Sequence, residues 1–171
     1  MKTQSYLSMC RSTPEALLRA AASGIAPSPA SLAGWEFRGW FTRGTFPALL
    51  AGKHRKGFYR LGRSPGLGGY NIPCHPGPPS TPWVDRLRGP GSWRLGWFLV
   101  VEEDGCLILD YSRAGKASPL SPLVPLRERL FQSSPDDPDH LLTILEIHVG
   151  RSVRRVSMGV YERHTRSPMG I

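Results

Sequence analysis

Apolar residues recur with period two along most of this chain, and glycine or proline separates one run from the next. Residues 35–40 read Trp-Glu-Phe-Arg-Gly-Trp. As a strand they place Trp35, Phe37 and Gly39 on one face and Glu36, Arg38 and Trp40 on the other. Residues 57–61 and 69–72 form the next two strand candidates, joined by the turn-rich stretch 62–68. Residues 73–82 hold too many prolines for a regular strand, because proline gives no N–H to a ladder. Residues 93–101 are the clearest strand. Asp104-Gly105 then marks a turn into 106–111, the strongest hairpin signal in the sequence. Residues 126–131 fit either state: Leu126, Leu130 and Phe131 suit helical spacing, while the brevity of the run also permits a strand. Residues 141–148 and 153–161 flank Gly150-Arg151-Ser152 and predict a closing hairpin. Unbroken alternation there groups Val153, Arg155, Ser157 and Gly159 against Arg154, Val156, Met158 and Val160.

One helix is predicted, over residues 14–23. Thr13 can cap it, Pro14 suits its first position, and Gly24 can end it. A short helical turn is expected at 46–50. The resulting fold class is mainly β: a small antiparallel barrel of about seven to eight strands with a short N-terminal helix. A β-sandwich or an α+β arrangement is the alternative. Closure into a barrel hides both sheet edges and buries one face. The organisation expected is an N-terminal helix and linker (1–31), a barrel-like domain (32–163) and a flexible tail (164–171).

Two stretches carry a family resemblance. They are Gly34-Trp35-Glu36-Phe37-Arg38-Gly39-Trp40 near the first strand and Gly159-Val160-Tyr161-Glu162-Arg163 in the last. The pattern resembles the lipocalin-like, or calycin-like, β-barrels. In that family a Gly-x-Trp motif packs at the closed end, and a basic residue of the last strand covers the tryptophan. Here Gly34 directly precedes Trp35. The resemblance implies that Arg163 covers Trp35, and that the barrel holds a small ligand.

Composition narrows the partners. The formal net charge is +9 over 171 residues, which favours polyanionic partners through the long-range field. Three cysteines, Cys10, Cys74 and Cys106, without Cys-x-x-Cys spacing argue against a disulfide scaffold. No run approaches the roughly 20 apolar residues of a spanning helix. The reading by elimination is a cytoplasmic protein. Cys74-His75 and the scattered histidines do not make a zinc pattern, and neither a metal nor a cofactor is implied. The glycine-rich stretch 62–69 lacks the Gly-Lys-Ser/Thr end of a phosphate-binding loop.

The candidate chemistry is aromatic and basic. Trp35, Phe37, Phe58, Trp93, Trp97 and Tyr111 are expected to line an apolar interior. They either fill a core or surround a cavity. Arg38, Lys56 and Arg60 are expected at its mouth, where they would orient a negative group. The basic run 53–56 reads otherwise as solvated surface. The leading function is therefore non-enzymatic binding of a small amphipathic or lipid-like ligand. One alternative is a small enzyme using Glu146 and His148, which share a strand face, for proton transfer. The other is a basic surface module for anionic lipid or nucleic acid. No sequence feature selects an oligomeric state.

Overall fold

The computed structural model describes residues 5–42, 52–62, 66–86, 94–114, 125–132, 134–150 and 152–169. Among the described residues three short helices precede eight strands: α1 (Tyr6–Cys10), α2 (Pro14–Ala22), α3 (Pro29–Leu32), β1 (Trp35–Phe41), β2 (Lys53–Arg60), β3 (Leu67–Pro73), β4 (Leu95–Glu103), β5 (Cys106–Asp110), β6 (Leu126–Gln132), β7 (His140–Val149) and β8 (Ser152–Arg166). Each strand pairs antiparallel with the next, and β1 pairs with β8, so the sheet closes as a barrel in sequence order. This is the closed antiparallel barrel that the sequence pattern and the lipocalin-like resemblance imply.

Local chemistry explains the elements. Thr13 accepts a hydrogen bond from the Ala16 amide and caps α2, with Pro14 at its first position. Asp104 and Gly105 both take positive φ, 51° and 71°, the backbone of a tight turn whose twist matches the strands it joins. Residues 126–131, ambiguous in the sequence, are strand β6. The expected linker 25–31 holds α3, whose Leu32 is fully buried. The strand β8 continues to Arg166, and the Ser167 amide bonds the Gly34 carbonyl at 2.9 Å. The expected turn at 46–50 lies outside the described residues.

Two apolar clusters separate the inside of the wall from its outside. The inner one joins Leu32, Phe37, Phe58, Phe98, Leu130 and Tyr161 among others. The outer one joins Tyr6, Leu17 and Ala21 of the helices to Leu142, Ile144, Met158 and Val160 of β7 and β8. The amphipathic side of α2 thus covers one flank of the barrel. A register shift between Leu145 and Glu146 alters the alternation of β8. Through it Val156 packs with the inner cluster, while Met158 and Val160 face the helices.

The two ends differ. At the end where β1 begins, Leu32 and Ala33 enter the inner cluster and the Gly34 amide bonds the Phe58 carbonyl at 3.0 Å. The Arg163 guanidinium lies 4.7 Å from the Trp35 ring centre and donates to the Ser31 and Pro138 carbonyls, as the resemblance implies for a closed end. Arg166 stacks 3.7 Å from the same ring centre. The three longest strand connections, 42–52, 74–94 and 111–125, all leave the opposite end.

Candidate functional site

The interior is apolar near the closed end and polar farther along. Alternation on β2 turns His54, Lys56 and Phe58 inward, while Lys53 and Arg55 point out. On β6 it turns Leu126, Glu128 and Leu130 inward. Lys56 and Glu128 are separated by 72 positions in sequence. They meet inside the barrel with Nζ 2.5 Å from Oε2, and both side chains are only 1% exposed.

Their network is closely satisfied. Glu128 Oε2 accepts from Lys56 and, at 2.8 Å, from the Tyr111 hydroxyl. Glu128 Oε1 accepts from the Tyr161 hydroxyl at 2.7 Å and from Thr143 Oγ1 at 3.2 Å. That uses about four lone-pair positions, the capacity of a carboxylate. Lys56 Nζ also donates to the Tyr111 oxygen at 2.7 Å, and Asn71 Nδ2 donates to it at 3.3 Å. The ammonium lies 4.9 Å from the Phe98 ring centre, 5.3 Å from that of Tyr111 and 5.5 Å from that of Tyr161. Removing two ions from water costs several kcal/mol each, so they persist only when partners of this quality replace the solvent.

Proton order follows from the acceptors. A carboxylate only accepts, so Tyr161 donates to Glu128, and the Tyr161 oxygen lies 2.9 Å from His54 Nε2, while His54 Nδ1 lies 3.3 Å from the Gly52 carbonyl. Burial, with the Lys56 charge adding to it, lowers the His54 pKa to about 4, so this imidazole is neutral at pH 7. Burial tends to raise Glu128, but the Lys56 charge and the donated hydrogen bonds outweigh it and hold the carboxyl below its ordinary value. Burial lowers Lys56 despite Glu128. Burial and the Glu128 charge push both Tyr111 and Tyr161 up, so they stay protonated donors.

A pH dependence follows for His54. The unfolded chain takes up the imidazole proton near pH 6.5, the folded protein only near 4. The native state therefore loses stability as pH falls through that window. Urea denaturation midpoints should drop between pH 6.5 and 4. In His54→Gln, whose amide can donate to Tyr161, this part of the drop should disappear. An equal drop in the variant would assign the effect elsewhere.

The structure separates the sequence candidates. Phe37, Phe58, Lys56 and Tyr111 are interior, and Trp35 packs against the inner cluster from the closed end. Trp97 stands on the outer face, 6.0 Å from the Tyr59 ring centre and 5.6 Å from that of Tyr70, so the ring that β4 turns inward is Phe98. Arg38 is on the outer face as well, where it pairs with Glu162 and covers Tyr6. Arg60 is exposed where β2 reaches the closed end. Trp93 lies outside the described residues. Glu146 and His148 project outward together, Oε2 to Nε2 3.4 Å, beside Arg129. They border an external groove of about 120 Å³ whose wall includes Cys106, Ile108 and Arg127. They do not join the interior network.

Glu128, Tyr161, His54, Thr143 and Asn71 were not selected by sequence reasoning. A period-two reading of 126–132 would have put Glu128 in line with Leu126 and Leu130. Among the described residues no group of three or more His, Cys, Asp or Glu is placed to hold a metal ion, and no helix is long and apolar enough to cross a membrane. Comparison with known proteins finds no matching family model, curated protein or solved structure.

Proposed function

We propose that this barrel is a non-enzymatic binder of a small amphipathic, lipid-like molecule that enters from the end where the three long connections leave. Its apolar body would lie against Phe37, Phe58 and Phe98, and its head group would exchange hydrogen bonds with Lys56, Tyr111 and His54. The observation that carries this reading is the Lys56–Glu128 pair inside an interior otherwise built mostly of leucine and aromatic side chains. A core selected for stability alone gains little from a buried ion pair, since well-packed apolar residues of similar volume do as well or better. An interior that offers rings on one side and charge on the other suits a guest built the same way.

Native mass spectrometry after gentle purification tests for a retained guest, and titration with decanol, followed by tyrosine and tryptophan fluorescence, tests for saturable uptake. Uptake should persist in 0.5 M salt, because the contact is internal, whereas binding of nucleic acid or anionic lipid to the basic exterior weakens steeply with salt. The double variant Lys56→Met/Glu128→Leu should fold and lose head-group discrimination between decanol and decane. Absence of both a retained guest and saturable uptake would remove the proposal.

A further inference from the structure

We propose that Lys56 is an attachment point for a carbonyl compound, an apolar aldehyde or ketone held as an imine on Nζ with Glu128 as its counter-ion. This rests on the ligand-binding reading above and names the chemical class of the guest.

The distribution of cations points there first. The chain has eighteen arginines but only four lysines, Lys2, Lys53, Lys56 and Lys116. Guanidinium stays protonated, whereas an amine can give up its proton and act as a nucleophile. The net positive charge of this protein is thus mainly arginine, and the cation inside the barrel is one of its few amines.

Lys53 supplies an internal comparison. It lies on the same strand but outside the wall, and its Nζ donates to the Thr81 carbonyl at 3.0 Å, Thr81 Oγ1 at 2.8 Å and the Pro82 carbonyl at 2.7 Å. None of these acceptors is an acid. Lys56 instead has a carboxylate at 2.5 Å, a phenol at 2.7 Å and three aromatic rings around it. Imine formation needs a neutral amine, an acid to release water and surroundings that keep water from returning. Lys56 lies buried among rings, and transfer of its proton to the adjoining Glu128 would supply the neutral amine and the acid together; burial lowers the cost of the neutral amine.

The chemistry balances without any further reactant. Lys56 passes a proton from Nζ to Glu128 Oε2. The freed lone pair attacks the carbonyl carbon, and the C=O π pair moves to oxygen. A proton then shifts from nitrogen to that oxygen, giving a carbinolamine. Glu128 returns its proton to the hydroxyl, the C–O bond breaks, and water leaves as nitrogen forms C=N. Ammonium and aldehyde have become iminium and water, with one positive charge before and after. Glu128 therefore faces the same charge before the first step and after the last.

The test uses decanal as probe and cyanoborohydride to fix any imine, with peptide mapping of all four lysines. One adduct, on Lys56, is expected. Lys56→Arg should remove it, and Glu128→Gln, which cannot shuttle the proton, should slow it by at least about tenfold. Adducts spread evenly over the lysines, or none on Lys56, would overturn the proposal, and mapping of the unaltered protein suffices for this if a variant does not fold. Decanol has the same apolar body without the carbonyl. Saturable decanol binding with no Lys56 adduct defeats the attachment alone, while failure of both defeats the ligand reading too.

Discussion

Lys56→Met and Glu128→Leu, made singly, should each destabilise the protein by about 3–5 kcal/mol at neutral pH, and together by far less than their sum. Each single change strands an ion without its partner. In Lys56→Met the carboxylate keeps three hydroxyl donors, Tyr111, Tyr161 and Thr143, but loses the cation. In Glu128→Leu the ammonium keeps one phenol oxygen and the ring faces. The double variant replaces both ions by apolar groups of similar volume, which in such sites is often neutral or stabilising. The pH dependence separates the two singles. A lone buried lysine escapes by losing its proton, so the cost of Glu128→Leu should shrink as pH rises. A lone buried carboxyl escapes by gaining one, so the cost of Lys56→Met should shrink as pH falls. Urea denaturation of the four proteins at pH 5, 7 and 9 gives the full cycle. Additive losses that do not change with pH would mean that the two side chains are not coupled as ions.

The same pair shows where sequence reading stopped. Elements whose signals are local were legible: the Thr13-capped helix, the Asp104-Gly105 hairpin and the alternation of Trp35–Phe41. Barrel closure was legible too, since many short strands must hide their edges. The interior network was not, because its members lie on different strands and each looks ordinary alone. Lys56 sits in a basic run that reads as solvated charge, yet strand alternation sends Arg55 out to Asp85 and Glu36 and Lys56 in to Glu128. Glu128 and Gln132 break the apolar face of β6, so its inward set was hidden and the leucines looked helical. The placement of Trp97 outside depends on strand phase, which one residue of shift reverses. The phase of β8 changes at a bulge that no local residue announces.

Gly69→Ala should cost about 1–3 kcal/mol, although it adds a single methyl group. A Cβ at Gly69 would stand 2.1 Å from Phe98 Cζ, 2.3 Å from Phe98 Cε2 and 2.5 Å from the Gly57 carbonyl oxygen. Two different parts of the structure would have to yield. The Gly57 carbonyl belongs to the β2–β3 ladder, where Gly57 opposes Tyr70 and Phe58 opposes Gly69, so its retreat strains strand pairing. Phe98 has little room either. Its ring centre is 5.7 Å from that of Phe58 and 5.4 Å from that of Tyr111, and the Lys56 ammonium lies against its face. Trimming the ring identifies which obstacle dominates. If the phenyl group is the main one, Phe98→Leu in the Gly69→Ala background should recover stability, although Phe98→Leu alone loses it by removing buried ring area. If the carbonyl dominates, the two losses should simply add. Recovery would also link the backbone of β3 to the cation site, because the ring that fills the space left by Gly69 is the one that shields Lys56 from one side. Uptake of decanol by Gly69→Ala should then weaken together with its thermal midpoint, and the Phe98→Leu double variant should regain the midpoint without regaining the uptake.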